Sequence, residues 1–233
     1  MIKDFDLLQR ANNDYTTIDL EHAEELAYRE LIDSIRYISL GDECGVMGNI
    51  ANIITYKGRF YIQEEQFDRV FIYDDTGRCL KKIDNKGRGP GEYLRIESID
   101  INTEKEELML VDGMSDKLFF YDLGGNFKSI HSIRYFQTEN TLCLRDSVFL
   151  HISAPSQNFG NEGLYGYALV LSKGNENFLK GYRYLPLQVG YKGGGQIFKG
   201  YERSCYHPIY SDTIYQILSD TTYGPIFYFK INT

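Results

Sequence analysis

The sequence predicts an all-β fold, a β-propeller of four-stranded antiparallel blades preceded by a short helix, and three observations predict it. The chain holds 20 Tyr and 14 Phe but no Trp, a composition that suits pleated, half-buried strands. Its 22 Gly against only 5 Pro supply tight turns. Beyond residue 50, short apolar runs alternate with turn residues, and one stretch repeats without a gap at an offset of 48 residues.

The elements follow in order. Residues 20–32, LEHAEELAYRELI, set Leu20, Ala23, Ala27 and Leu31 near one helical face with good helix formers between them, and Asp19 is placed to cap the start. This makes residues 1–34 an N-terminal helical segment and residues 35–233 the propeller. After Asp33 and Ser34 the period changes to that of a strand, with Ile35 and Tyr37 alternating against Ile38 and Leu40, and a Gly-rich turn fills 41–48.

The repeat sets the blades. FYIQEEQFDRVFIYDDTGR from Phe60 lies over LMLVDGMSDKLFFYDLGGN from Leu108, matching Asp68 to Asp116, and Tyr73, Asp74 and Gly77 to Tyr121, Asp122 and Gly125. Doubling the offset carries Ser115-Asp116 onto Ser211-Asp212. A period near 48 residues fits one four-stranded blade. The first unit is read as strands at 50–56, 60–63, 70–73 and 79–83, and the second at 96–101, 108–111, 118–121 and 127–133. Less regular third and fourth units occupy about 135–187 and 189–231. In each Asp-x-x-Gly hairpin the glycine, Gly77 or Gly125, accepts positive φ at small cost.

Between the first two units runs Asn85-Lys86-Gly87-Arg88-Gly89-Pro90-Gly91-Glu92-Tyr93. This link after a Tyr-Asp-x-x-Gly hairpin, together with residues 34–40 and Ser211-Asp212-Thr213-Ile214-Tyr215, resembles the six-bladed β-propeller proteins with NHL-like repeats that are abundant in gut Bacteroidetes. The resemblance spans roughly residues 33–233 and implies an exported protein of the periplasm or cell envelope. The chain departs from it in three places. Met1-Ile2-Lys3-Asp4-Phe5-Asp6 does not read as a signal peptide, Gly41 stands where an acidic residue is usual, and residues 50–233 hold nearly four units instead of six. An incomplete six-bladed ring is therefore expected, with a closed four-bladed ring as the alternative; unpaired blades would leave strand edges open to self-association. The missing signal keeps a cytoplasmic location open.

Charge and motifs exclude several functions. A net charge of −8, with acidic residues spread along the chain, argues against nucleic acid as partner, and the basic cluster Lys81, Lys82, Lys86 and Arg88 reads as a solvated strand and turn. No apolar run reaches the roughly 18 residues of a membrane span. Cys44, Cys79, Cys143 and Cys205 are far apart with no CxxC, so no zinc site is expected; Cys79 and Cys143 read as small buried hydrophobes, leaving the redox compartment undetermined. The four His lack HExxH, Lys192-Gly193-Gly194-Gly195 lacks the lysine-serine end of a phosphate loop, and there is no GxSxG elbow.

If the strands alternate in direction, the turns between second and third strands and the links between blades emerge on one face. That face would gather Glu64, Glu65, Gln66, Asp68, Met114, Ser115 and Asp116 around the link. Arg88, Glu92, Tyr93, Arg95, Asp68 and Asp116 are the candidate ligand-binding residues, whereas Gly77, Gly87, Gly89, Pro90, Gly91 and Gly125 are turn formers. The structural alternative packs Tyr93 between blades and uses Arg88 or Glu92 to anchor the link. Tyr165, Tyr167, Tyr182, Tyr184, Tyr191 and Tyr201 are read as interblade packing before carbohydrate stacking. The function expected is non-enzymatic binding or scaffolding of a protein, peptide or glycan, with no cofactor and no catalytic residue. A metal-dependent hydrolase or lyase of the lactonase or NHL-lyase type, drawing on Glu97, Asp100 or Asp112, is one alternative. A fragment without independent function is the other.

Overall fold

The computed structural model describes residues 6–7, 9–10, 14–21, 30, 32–133, 138–145, 147–153, 164, 167–174, 177–184, 195–199, 203–208, 211–219 and 222–230. Three short strands come first: β1 (Asp6–Leu7), β2 (Gln9–Arg10) and β3 (Thr16–Asp19). The first blade is the meander β4 (Ile50–Tyr56), β5 (Arg59–Glu64), β6 (Arg69–Asp74) and β7 (Cys79–Ile83). The second is β8 (Ser98–Asn102), β9 (Glu107–Asp112), β10 (Lys117–Asp122) and β11 (Phe127–Ser132). The third is β12 (Asn140–Arg145), β13 (Val148–Ile152), β14 (Tyr167–Lys173) and β15 (Asn177–Tyr184), and the fourth β16 (Gln196–Lys199), β17 (Ser204–His207), β18 (Thr213–Ile217) and β19 (Thr222–Lys230). All pairs within a blade are antiparallel. The innermost strands neighbour one another in the order β4, β8, β12, β16, the radial arrangement of a propeller.

The alternation of side chains across each strand splits the apolar residues into two faces, and in the second and third blades each face meets a neighbouring blade. Tyr61, Val70 and Ile72 of the first blade pack on Ile99, Ile101, Leu108, Leu110, Phe119 and Tyr121 of the second. The opposite face of the second blade, with Met109, Val111, Leu118 and Phe120, meets Cys143 and Phe149 of the third. Leu150, Ile152, Leu169 and Leu171 then meet Ile197, Tyr206 and Ile217 of the fourth. The 48-residue offset maps Val70 and Ile72 onto Leu118 and Phe120, so one pattern builds successive interfaces.

The turns repeat as faithfully. Asp68 and Asp116 take positive φ, 57° and 53°, as do Gly77 and Gly125 at 88° and 81°. Asp74 Oδ1 accepts hydrogen bonds from the Thr76 and Arg78 N–H groups, and Asp122 Oδ1 from that of Asn126. The Thr76 hydroxyl, donating to Asp74 Oδ1 at 2.6 Å, chiefly holds that carboxyl below the usual range, and the Asn126 N–H does the same for Asp122. Gly77 is required twice over, since a Cβ there would lie 2.1 Å from the Ser39 carbonyl.

The sequence reading needs correction at two places. The strand expected at 35–40 does not form; the segment crosses the β6–β7 turn, where Gly41 N–H bonds the Gly77 carbonyl at 2.7 Å and an Arg36 guanidinium N–H the Asp75 carbonyl at 2.9 Å. Its backbone is held by turn residues and not by a neighbouring strand, which leaves Tyr37 91% exposed. Cys79 is not a lone buried hydrophobe but is disulfide-bonded to Cys44. The bridge draws Cys44 and Met47 over Ile62, Phe71 and Tyr73, on the face of the first blade turned away from the second.

The first nineteen residues contain strands that periodicity did not reveal. β1 pairs parallel with β15, and β2 and β3 pair parallel with β19, adding to the outer edges of the third and fourth blades. Most of the helix expected over 20–32 lies outside the described residues, although Asp19 Oδ1 does accept a hydrogen bond from Glu21 N–H at 3.0 Å. Among the described residues no helix is long and apolar enough to cross a membrane.

Candidate ligand-binding face between the first two blades

The link from β7 to β8 is bonded to the β5–β6 turn on one side and the β9–β10 turn on the other. Tyr93 donates its hydroxyl hydrogen to the Asp68 carbonyl at 2.8 Å and accepts from Asn85 N–H at 3.1 Å. Its ring is fully buried and meets Phe119 edge-on at 6.0 Å, and burial raises its phenol well above the usual range. Asp68 Oδ1 accepts from Ile96 N–H at 3.1 Å, while Oδ2 pairs with the Lys86 ammonium. On the far side, Asp112 accepts from Leu94 N–H at 2.7 Å and from Met114 N–H at 3.0 Å.

Two glycines of the link, Gly87 and Gly89, lie against Glu92, and Gly91 takes φ +81°. The Glu92 carboxylate accepts from Gly89 N–H at 2.7 Å, and a Cβ at Gly87 would sit 1.9 Å from the same carboxylate oxygen. Gly87 N–H returns to the Tyr93 carbonyl at 2.9 Å and Tyr93 N–H to the Asn85 carbonyl at 3.1 Å. The link is therefore a closed loop wound on a glutamate and pinned by a tyrosine.

The six candidate residues thus divide. Tyr93, Glu92 and Asp68 help to hold the link, each through its hydrogen bonds. Asp116 accepts the Ile133 N–H through its backbone carbonyl, and its carboxyl is raised by burial and by neighbouring Asp112. Arg88 and Arg95 remain exposed, Arg95 within 3.3 Å of Glu97. Glu97 is raised chiefly by burial, which outweighs Arg95.

Sequence reasoning missed the aromatic member of this face. Phe67, on the β5–β6 turn, is 45% exposed with the Arg69 guanidinium 4.4 Å from its ring centre, and Met114, on the equivalent turn of the second blade, is 65% exposed. The signal was a large apolar residue inside a turn otherwise made of Glu, Gln and Asp. The carboxylates considered for a metal are engaged elsewhere: Asp100 by Cys143 N–H and Lys199, Asp112 by the link and turn, Glu97 by Arg95. Among the described residues no group of three or more His, Cys, Asp or Glu is placed to hold a metal ion. Of the tyrosines considered for stacking, Tyr167 is half-buried; the side chains of Tyr165, Tyr182, Tyr184, Tyr191 and Tyr201 lie outside the described residues.

Four-stranded antiparallel sheets set side by side by their inner strands, joined by a rigid link and displaying residues on connecting turns, define an all-β, propeller-like protein. Residues 15–233 match the family of domain of unknown function DUF4934, and the chain belongs to that family. Comparison with the curated proteins returned no match. Among solved structures, the chain is similar to a candidate exported protein of Bacteroides fragilis NCTC 9343, with 20% identity and a TM-score of 0.78 over 92% of this chain and 60% of that one. The chain thus spans less than two thirds of that protein. Weaker likenesses are to a member of the DUF4221 family from Bacteroides vulgatus ATCC 8482 (9% identity, TM-score 0.46, 76% of this chain and 57% of that) and to the WD40 repeats of RRP9 (9%, 0.48, 76% and 51%).

Proposed function

We propose that the chain is a non-enzymatic binding module that docks a protein or peptide on the face shared by its first two blades. The observation that carries this reading is the pair of exposed apolar side chains, Phe67 and Met114, on equivalent turns flanking a rigid link that presents Arg88 and Arg95. Exposed aromatic, Met and Arg groups held on fixed backbone are the composition of a protein-recognition surface. Carboxylates and carbonyls already engaged by the fold offer little for catalysis by comparison.

The remaining elements of the reading are proposed with it. Residues 35–233 form the propeller and 1–34 a leading segment, the blades are NHL-like, and they represent part of a six-bladed ring. The setting is the periplasm or cell envelope, attached there as a lipoprotein-like protein. Two observations support export: the Cys44–Cys79 disulfide, a bond that persists in oxidising compartments, and the likeness to a candidate exported protein.

The test is chemical cross-linking of the purified chain in envelope extract, with partners identified by mass spectrometry. Phe67→Ser, Met114→Ser and Arg95→Ala should each keep the wild-type melting temperature, since all three are exposed, and should reduce the cross-linked partner several-fold. Equal capture by the triple variant would defeat the proposal.

A further inference from the structure

Lys199 is the last residue of β16, the inner strand of the fourth blade, yet its side chain leaves that blade altogether. Its ammonium reaches Asp100 Oδ2 at 3.2 Å and the Ile101 carbonyl at 2.8 Å, both on β8 of the second blade. It also reaches the Cys143 carbonyl at 2.9 Å, on β12 of the third. An ammonium has three N–H donors, and here three oxygens meet them. The Asp100 side chain is only 5% exposed and that of Lys199 25%, so the carboxylate is withdrawn from water and the lysine reaches it from a partly exposed position. The same Asp100 oxygen also accepts Cys143 N–H at 2.7 Å, which fixes the carboxylate independently of the lysine.

A carboxylate and two backbone carbonyls, drawn from two strands and converging on one point, make an oxygen-only cage for a small cation. That cage is assembled by β8 and β12, which the Cys143 N–H joins by donating to the Asp100 carboxylate. The lysine enters from a strand 99 residues away in sequence. We propose that this cage is a cation-binding site occupied by the chain's own primary ammonium, which ties the inner strands of the second, third and fourth blades together. The ligand class it accepts is a primary ammonium ion. Asp100 is thereby committed to an internal cation, which removes it from the metal-binding alternatives.

Lys199→Ala tests this, because truncation empties the cage without altering its oxygens. Removing one partner of a buried ion pair is strongly destabilising, so the variant should melt about 6–20 °C below wild type. Methylammonium, ethylammonium or n-propylammonium chloride should restore several degrees of that loss, with the longer amines more effective because they refill the space of the lysine stem. Sodium chloride and tetramethylammonium chloride at equal ionic strength should not. Wild-type melting by the variant, or restoration by all salts alike, would overturn the site. Stabilisation by calcium chloride in place of the amines would reassign the cage to a metal and overturn the ammonium. Should Lys199→Ala fail to fold, the wild-type protein labelled with lysine 15Nζ gives an independent reading. One ammonium resonance should be protected from exchange and should shift in Lys199→Arg; absence of any protected ammonium signal would refute the proposal.

Discussion

Breaking the Cys44–Cys79 bridge should be the most damaging two-residue change that leaves the interblade cores untouched. The cysteines are 35 residues apart in sequence. Closing a loop of that length restricts the unfolded chain by an entropy worth about 4 kcal/mol at 25 °C, in a chain-entropy model that native strain can only reduce. The folded state loses something as well. The bridge holds Cys44 and Met47 over Ile62, Phe71 and Tyr73, and the same segment is fixed by Gly41 to Gly77 and by the Tyr73 hydroxyl donating to the Gly41 carbonyl at 3.3 Å. Those bonds remain in Cys44→Ser/Cys79→Ser but must hold the segment alone. For a chain of this size about 4 kcal/mol corresponds to a fall in melting temperature of about 8–16 °C. The assay is thermal unfolding of oxidised wild type, reduced wild type and the double variant, with amide exchange read at 41–48. Denatured, unreduced protein should offer alkylating reagent two thiols, Cys143 and Cys205, out of four cysteines. Four reactive thiols in protein purified from an oxidising environment, or melting within about 2 °C for all three samples, would refute the reasoning.

Three further outcomes follow from individual groups. Tyr93→Phe removes a hydroxyl with two backbone partners and should cost about 1–3 kcal/mol, whereas Tyr121→Phe removes a buried hydroxyl that has no partner among the described residues and should be neutral or slightly stabilising; equal effects in chemical denaturation would contradict the hydrogen-bond assignments. His151 is completely buried between Thr141 and Ser172, and burial pushes its imidazole down to about 3, so the unfolded chain binds a proton that the folded chain refuses between that value and an unfolded value near 6.5. Its contribution is whole above the unfolded value and declines as pH falls toward about 3, by at most about 4–5 kcal/mol; an NMR titration showing His151 protonating near pH 6.5 in the folded protein would disprove this. Gly77→Ala should destabilise more than Gly125→Ala, although both sit near φ +80 to +90°, because the new methyl meets the Ser39 backbone at 2.1 Å in one case and pliable side chains at 2.9 Å in the other; melting curves rank the pair.

How much of this was legible depends on whether the information was periodic. The first two blades were readable almost to the residue: β4 and β7 have the bounds that the apolar runs and turn residues predicted, and the Asp-x-x-Gly hairpins lie where the 48-residue offset put them. Continuous apolar runs mark the central strands there because both faces of each sheet are buried against a neighbour or a covering segment. Alternation failed at 35–40, where the segment with Ile35, Tyr37 against Ile38, Leu40 crosses the β6–β7 turn instead of running along a strand. It also missed β1 to β3, which are two to four residues long and join sheets more than a hundred residues away in sequence. The disulfide was hidden for the same reason: spacing of 35 residues says nothing until the β6–β7 turn brings the segment back across the blade.

The candidate face shows the complementary failure. Residue types that suggest chemistry, a glutamate, a tyrosine and an aspartate around a glycine-rich link, were conspicuous in the sequence, and the structure engages all three within the link. Glu92 accepts Gly89 N–H, Tyr93 joins Asn85 to Asp68, and Asp68 receives Ile96 N–H and Lys86. A buried backbone donor without a partner is costly, so a link that crosses between two blades must recruit such side chains for itself. What is left over for a partner is the set the fold leaves exposed: Arg88 and Arg95 from the link, Phe67 and Met114 from the turns. A Phe left 45% exposed on a short, well-anchored turn keeps apolar surface in water, a cost that a docked partner would remove. That cost, more than the charged residues beside it, is why the face between the first two blades is where a partner should be sought.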